Sequence, residues 1–281
     1  MTGIEFKARK DKPTLVVGAT GKTGRRVVER LERAGLPVRQ GARGATPSFD
    51  WDDEAGWAAA LEGAGAAYVT YYPDLAAPGA VEKIRAFTVA ALSAGVRRIV
   101  LLSGRGEEEA QAAERALIQS GADWTILRCS WFAQNFSESF MGEGVLGGAL
   151  VLPAGAIPEP FVDCDDIADV AFAALTEEGH VGKLYELTGP RALTFREAAS
   201  AIAAARGVPL DYVEVPLDAY AAEMRAHGVP AEMIDLVIYL FGTVLDGRNA
   251  MTCDGVEQAL GRKATDFRTY AARAAAAGVW G

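Results

Sequence analysis

With 281 residues, half of them hydrophobic, the chain is long enough for one large α/β domain or for a core domain with a smaller lobe. Its formal net charge of −9 and the lack of a basic stripe argue against a nucleic-acid partner. No apolar run is long enough to span a membrane, and the polar N-terminus lacks a signal-peptide core, so we expect a cytoplasmic protein without a membrane partner. The spacing of Cys129, Cys164 and Cys253 predicts free thiols in a reducing compartment.

The first predicted strand, residues 15–17, runs into a glycine turn and an amphipathic helix that ends near Gly35. The turn has the spacing G-x-x-G-x-x-G, and strand, glycine turn and helix together are typical of a dinucleotide-binding fingerprint. Glycines let backbone N–H groups approach a pyrophosphate, which the positive end of the helix dipole attracts. We therefore predict cofactor contacts from Gly18, Thr20, Gly21, Lys22, Thr23 and Gly24.

Two other interpretations of this turn were weighed. Gly21, Lys22 and Thr23 match the second half of a phosphate-binding P-loop. The first glycine of that motif would fall at Val16, inside the strand, so a P-loop is excluded. A tight turn without a ligand remains the alternative.

A second strand is predicted over residues 36–40, and Arg43 follows it in a loop without acidic residues. At this position, about 20 residues beyond the glycine turn, an acid would accept a hydrogen bond from a ribose 2′-OH, whereas an arginine would accommodate a 2′-phosphate. Arg43 therefore favours NADP(H) over NAD(H), with Arg39, Thr46 and Ser48 as candidate helpers. The alternative is a solvated surface arginine.

The segment that follows predicts a short strand at its start and then a helix that opens near Asp52 or Asp53. Asp50 and Trp51 come at the carboxyl end of that strand. They either touch the adenine of the cofactor or cap the helix and pack in the core, and the sequence leaves both open.

The next predicted strand, residues 66–72, ends in Tyr71 and Tyr72. Ligands of open parallel sheets bind outside the carboxyl ends of the strands, so both tyrosines and Thr70 are predicted to line the cofactor. A helix over residues 79–95, a strand over residues 98–103, a second helix and a strand over residues 124–127 continue the alternation.

Alternating strands and helices predict an α/β fold with a doubly wound parallel sheet. We expect the cofactor-binding core in residues 1–150, with a strand near 181–189 returning to its sheet, and a smaller lobe that binds or covers the substrate mainly in residues 151–281. Within that lobe, Thr194 and Glu197 predict a capping box. The helices around Met224, Met233 and Phe241 form either core or the wall of an apolar substrate pocket.

Five segments together resemble the NmrA-like branch of the atypical short-chain dehydrogenase/reductase superfamily, over most of the chain. The resemblance implies a Rossmann core, a smaller C-terminal lobe and a substrate in the cleft between them. It also implies that residues 127–136 lie beside the nicotinamide, which adds Cys129, Ser130 and Phe132 to the predicted cofactor contacts, and Ser103 is predicted as a further contact. The five segments are GATGKTG at residues 18–24, FDWDD at 49–53, LRCSWFAQNF at 127–136, PFVDCDDIADVA at 160–171 and LYELTGP at 184–190.

The chain differs from the pattern of the family that it resembles at the residues that supply the catalytic acid. Typical members use a tyrosine and a lysine four residues later, and here Ala110 and Glu114 stand at those positions. Ser103 is either the remnant of the family's catalytic serine or the end of a strand. The proton must then come from water, from a hydroxyl of the substrate, or from a residue such as Tyr72 or Ser130.

Other chemistries are not supported. His180 and His227 have no partner at metal-ligand spacing, so no metal site is predicted, and no G-x-S-x-G elbow indicates a nucleophilic serine. We therefore expect an NADPH-dependent reductase of ketoreductase type that acts on an apolar, polyketide-like small molecule. The alternative is a non-catalytic NmrA-like regulator that senses NADP(H). The sequence does not predict the oligomeric state.

Overall fold

The computed structural model describes residues 11–281. The expectation that the chain has no signal peptide was based mostly on residues 1–10, which lie outside the described residues. The chain forms two compact units. The first runs to Cys129 and includes residues 165–186 and 256–261, and the second contains residues 130–164, 187–255 and 262–281. The predicted boundary at residue 150 therefore falls inside the second unit. The reason is that Ala133, Phe136 and Leu150 share one apolar core with Phe195 and Trp280.

A six-stranded sheet with the order β2-β1-β3-β4-β5-β7 forms the centre of the first unit. The pairs from β2 to β5 are parallel, which confirms the predicted parallel α/β architecture of Rossmann type. Every residue of β1 and β3 is buried, as expected for strands covered on both faces. The eight strands are β1 (Thr14–Val17), β2 (Val38–Gly41), β3 (Ala66–Val69), β4 (Arg98–Gly104), β5 (Asp123–Cys129), β6 (Ala149–Leu152), β7 (Lys183–Leu187) and β8 (Asp211–Glu214).

Eleven α-helices are present among residues 11–281, and none of them is long and apolar enough to cross a membrane. They are α1 (Lys22–Arg33), α2 (Trp57–Leu61), α3 (Ala80–Ser93), α4 (Glu108–Ile118), α5 (Phe140–Gly147), α6 (Cys164–Thr176), α7 (Phe195–Arg206), α8 (Leu217–Ala226), α9 (Ala231–Tyr239), α10 (Gly255–Leu260) and α11 (Phe267–Ala276). Short 3₁₀ turns cover Glu54–Gly56 and Ala133–Phe136, and a π-helical turn, Leu240–Val244, continues α9.

An aromatic cluster replaces the short strand that the sequence predicts before Asp52. The indole N–H of Trp57 donates to the carbonyl of Asp50 at 2.7 Å, and that of Trp51 donates to the carbonyl of Thr70 at 3.2 Å. These two indole hydrogen bonds occupy the backbone carbonyls of Asp50 and Thr70, which a neighbouring strand would otherwise use for pairing. The carbonyl of Thr70 is occupied in this way, and β3 ends at Val69, before the predicted end at Tyr72.

The second unit is built around its own aromatic core. Phe136, Phe161, Phe195 and Phe267 contact one another with ring centroids 5.0–5.9 Å apart. Beside this core, β6 and β8 form a two-stranded parallel sheet. The predicted capping box at the start of α7 is present, with Thr194 as the N-cap.

Replacing Phe87 by alanine should destabilise the first unit strongly. The Phe87 ring is 1% exposed and packs at 5.5–5.8 Å from the rings of Phe49, Trp51 and Trp57. Its removal leaves a cavity, and we expect a loss of about 3–5 kcal/mol in the free energy of unfolding, measured by urea denaturation.

The matched control is Val89→Ala on the same helix. Val89 is 60% exposed, so its truncation should change the free energy of unfolding by no more than about 0.5 kcal/mol. Similar losses for the two variants would contradict the assignment of Phe87 to the core.

Candidate cofactor-binding site

The glycine turn between β1 and α1 is held by contacts that leave no room for side chains at two positions. Gly18 has a φ of +75°, and a Cβ built on it would lie 2.1 Å from the hydroxyl oxygen of Thr70. A Cβ on Gly24 would lie 2.1 Å from the carbonyl oxygen of Gly18. Gly41, which the sequence analysis did not single out, closes the turn from β2 by accepting the N–H of Gly18 at 2.9 Å.

The N-terminus of α1 is open to an anionic ligand. Its N-cap residue, Gly21, provides no side-chain cap, and the first turn contains no acidic residue. The first N–H groups of a helix lack partners inside the helix and carry the positive end of its dipole. Of the other predicted contacts, Thr20 is exposed, Lys22 is half-buried and Thr23 is buried.

Arg43 and Arg39 have different surroundings. The side chain of Arg43 is exposed and has no side-chain partner between residues 11 and 281, while its carbonyl accepts the Ser48 hydroxyl at 3.0 Å. Arg39 instead donates to the carbonyls of Ala60 at 2.8 Å and Glu62 at 2.5 Å. These two bonds close the end of α2, and the role of Arg39 beside a 2′-phosphate stays a prediction.

Trp51 and Asp50 have structural partners. Trp51 is 9% exposed, and its ring centroid lies 4.9 Å from that of Tyr71. The Asp50 carboxylate accepts the N–H of Asp52 at 3.1 Å. Of the two interpretations that the sequence left open, these contacts favour local capping and core packing.

The two predicted tyrosines differ in burial. Tyr71 is partly buried beside Trp51, and this burial raises the pKa of its phenol. Tyr72 follows it with 72% of its side chain exposed. A phenol in that position is largely surrounded by water.

A buried charge network includes Glu114, which the resemblance places at the position of the family's lysine, with Ala110 at that of the tyrosine. Ala110 is fully buried, and Glu114, 2% exposed, accepts the Ser103 hydroxyl at 2.6 Å. Arg128 donates to Glu114 through Nε at 2.9 Å and also through Nη2, and its Nη1 donates to Glu186 at 3.2 Å. The hydrogen bonds to Glu114 raise the pKa of Arg128. The proton of Ser103 is thus committed to a carboxylate, which favours a structural role for this serine.

The predicted contacts after β5 are divided between the two units. Cys129, where the first segment of the first unit ends, is buried. In the second unit, Ser130 is 3% exposed, and its hydroxyl has no hydrogen-bond partner in the described part of the chain. Phe132 is half-buried and bridges to Val162.

The sequence analysis missed a pair of carboxyl groups in the first unit. Asp74 follows β3 and Glu107 follows β4, two neighbouring strands. A hydrogen bond joins the carboxyl groups, and the Asp74 carboxylate also accepts the N–H of Ala76 at 2.9 Å. The only available signal was position, since each acid lies a few residues beyond the carboxyl end of a predicted strand.

The pKa values of this pair are both raised. Burial, the neighbouring Asp74 charge and the hydrogen bond that Glu107 donates to Asp74 raise the pKa of Glu107 well above its ordinary value. The pKa of Asp74 is raised by burial, and the hydrogen bonds from Ala76 and Glu107 oppose that rise. Because one carboxyl next to another resists ionisation, the hydrogen bond between them favours the state in which the pair shares one proton.

Taken together, the open helix N-terminus, the glycines without room for side chains and the exposed Arg43 suit an anionic dinucleotide with an additional phosphate.

His180 is buried beside Tyr185, with 2.9 Å between its Nδ1 and the phenol oxygen. No group of three or more His, Cys, Asp or Glu side chains between residues 11 and 281 could hold a metal ion.

Comparison with known proteins agrees with this geometry. The family model described as NAD(P)H-binding matches residues 18–178. The NAD(P)H azoreductase of Xenophilus azovorans is 30% identical over 287 residues, covering 94% of this chain and 98% of that protein. The (4-alkanoyl-5-oxo-2,5-dihydrofuran-3-yl)methyl phosphate reductase of Streptomyces griseus is 32% identical over 283 residues, with coverages of 94% and 98%.

Among solved structures, the NADPH-dependent quinone oxidoreductase of Escherichia coli in complex with NADPH has a TM-score of 0.77 at 22% identity. The match covers 92% of this chain and 99% of that one, and it shows that the two proteins share a fold. The family match over more than half of the sequence, together with relatives at 30% identity or more, shows that the chain belongs to the NAD(P)H-binding family and is an oxidoreductase.

Proposed function

We propose that this protein is an NADPH-dependent reductase of an apolar small molecule with a carbonyl or another double bond that accepts a hydride. The observation that carries the proposal is the uncapped N-terminus of α1 behind its glycine turn, with Arg43 exposed after β2. Two relatives with reductase names and coverage of 98% support the reaction class.

The residues of the glycine turn would hold the cofactor diphosphate. Lys22 and Thr23 begin α1 at the positive end of its dipole, and Gly21 before them is the N-cap, whose own N–H donates to the carbonyl of Gly18 at 2.9 Å. Arg43, which has no competing side-chain partner in the described chain, would pair with the 2′-phosphate. When bound, NADPH supplies the hydride, and the protein supplies position, electrostatics and a proton.

The second unit supports an apolar substrate. Met233, Ile238, Tyr239 and Leu240 remain partly exposed on α9 and on the π-helical turn that continues it. Such π-helical turns are frequent at functional sites, and partly exposed Met and aromatic side chains are typical of apolar ligand sites. Quinones, azo dyes and aromatic ketones are therefore the substrate classes to test first.

The source of the proton differs from that of a typical short-chain dehydrogenase. Glu114 occupies the position of the catalytic lysine and is neutralised by Arg128, and Ser103 donates to Glu114. A neutral Ser130 hydroxyl, buried and without a partner in the described residues, could donate a hydrogen bond to a substrate oxygen. Tyr72 is a weaker candidate because most of its side chain lies in water.

The test combines binding and turnover with the purified full chain. Calorimetry with NADPH, NADP⁺ and NADH measures cofactor binding, and NADPH oxidation is then followed with menadione, methyl red and an aromatic ketone. Tight NADPH binding with turnover supports the reductase. Binding of both NADPH and NADP⁺ without turnover of any substrate would favour a non-catalytic sensor, and no binding at all would refute both functions.

Arg43→Ala should weaken the binding of NADPH by about 1–3 kcal/mol, the magnitude of a charge-assisted hydrogen bond, and leave NADH binding nearly unchanged. The measurement is calorimetric titration with each cofactor. Arg85→Ala, another exposed arginine, on α3, is the control and should affect neither cofactor. Equal losses of NADPH and NADH affinity in Arg43→Ala would show that Arg43 does not bind the 2′-phosphate.

Ser130→Ala should lower kcat/KM about tenfold, the equivalent of one neutral hydrogen bond of about 1.4 kcal/mol to the substrate oxygen. Tyr72→Phe removes only an exposed phenol oxygen and should keep the wild-type value within about twofold. Both variants are assayed by NADPH oxidation with the same substrate. Full activity of Ser130→Ala would remove Ser130 from the reaction, and a large loss in Tyr72→Phe would reinstate the tyrosine as the donor.

A further inference from the structure

The carboxyl group of Glu107 is held against the backbone at the carboxyl end of β4. A Cβ built on Gly104, the last residue of β4, would lie 2.1–2.2 Å from all three terminal atoms of the Glu107 side chain. Only a glycine at this position leaves space for the carboxyl group. Glu107 is 6% exposed, so its carboxyl group lies at the edge of the sheet but is largely shielded from water.

One oxygen of this carboxyl is buried and unused. Glu107 Oε2 has no hydrogen-bond partner within residues 11–281. An isolated buried oxygen costs free energy, and such an atom in a native fold indicates strain, catalysis or a missing ligand. The other neighbour of the carboxyl is Asp74, which is itself partly exposed and therefore connects the buried group with solvent.

The charges that face Glu107 all favour its protonated form. Asp74 lies on the turn after β3, Glu109 lies in the first turn of α4, and Glu114 lies one turn further along the same helix. No arginine or lysine acts on Glu107 to oppose them. The neighbouring cations, Arg128 and Arg105, are paired with Glu114 and Glu186.

We propose that Glu107, with Asp74 behind it, is the proton donor that replaces the missing tyrosine in the reductive reaction. The inference rests on the proposed function and adds the acid to it. Both carboxyl groups follow strands of the parallel sheet at their carboxyl ends, the edge where ligands of such sheets bind. The proton that the two carboxyl groups share is thus held at that edge, where a substrate atom can take it.

The step balances as follows. A hydride adds to one atom of the substrate double bond, and the electron pair of that bond collects on the other atom. This second atom takes the proton that Glu107 shares with Asp74, so the hydrogen bond between the two carboxyl groups breaks, both groups become carboxylates, and the substrate has gained two electrons and two hydrogens. Asp74, which is partly exposed, then takes a proton from solvent and shares it with Glu107, which restores the starting state.

The first test needs no cofactor. Infrared spectra of the apo protein across pH should contain the band of a protonated carboxyl at neutral pH. Glu107→Gln should remove the band, and Glu108→Gln, which changes an exposed neighbour, should keep it. No such band in the wild-type protein at neutral pH would overturn the proposal.

Thermal denaturation gives an independent measure of the same proton. The unfolded chain loses the Glu107 proton near the ordinary pKa of about 4.3, whereas the folded chain keeps it to higher pH. Wild-type stability should therefore fall as pH rises from that value to the folded pKa. Glu107→Gln, which cannot ionise, should gain in Tm relative to wild type across this window, and Glu108→Gln should not. If the difference in Tm between Glu107→Gln and the wild-type protein did not change with pH, the assignment of the proton to Glu107 would be overturned.

Kinetics then test donation itself, using methyl red or menadione, whichever the wild-type protein reduces. Glu107→Gln should bind NADPH with wild-type affinity by calorimetry, but its kcat should be lower by at least about a hundredfold, which is the lower end of the range for loss of a general acid. The wild-type kcat should fall above the pKa of the pair, and Asp74→Asn should move this fall to lower pH because it removes the neighbouring charge. Glu108→Gln should retain the wild-type profile.

The outcomes separate the two proposals. Wild-type turnover together with full activity and an unchanged pH profile in Glu107→Gln would overturn the donor and leave the reductase standing. A wild-type protein that binds no NADPH would overturn both. A Glu107→Gln variant that fails to fold is identified by its low Tm. In that case the pH profile of kcat is measured for Asp74→Asn, and a profile that does not shift from that of the wild type would overturn the proposal.

Discussion

The close approach of β1, β2 and β3 around the glycine turn is the constraint on which the first unit depends. Gly18 lies against the Thr70 hydroxyl, and Gly24 lies against the carbonyl of Gly18. A methyl group at either position would collide at about 2.1 Å, so the chain could not begin α1 at this distance from the sheet. The same absence of side chains leaves the first N–H groups of α1 accessible, so packing and anion binding have one origin.

A second constraint is the charge of helix α4. This helix buries Glu114, and a buried carboxylate is costly unless a cation compensates it. Arg128 on β5 provides that compensation, and Glu186 on β7 balances the second side of the guanidinium. Ser103 on β4 donates to the same carboxylate, which gives this serine a structural partner.

Much of the fold could be predicted from the sequence because its strands are continuous apolar runs and its turns contain glycines. β1 and β4 are of this kind. The strand expected before Asp52 was wrong, since Trp51 and Trp57 use their indole N–H groups to bind backbone carbonyls, and no local pattern reports such bonds. The partners of Arg39 could not be predicted for the same reason, because Ala60 and Glu62 are distant from it in sequence.

The carboxyl pair shows why the site was harder to predict than the fold. Asp74 and Glu107 follow different strands, and their neighbours in sequence mark them only as turn and helix-start residues. They meet because β3 and β4 are adjacent and because Gly104 leaves space for the Glu107 carboxyl. Burying two acids together destabilises the fold unless a proton stays between them. The fold retains this cost at the carboxyl edge of its sheet, the edge where ligands of parallel sheets bind, and this position is the physical basis of the proposed proton donor.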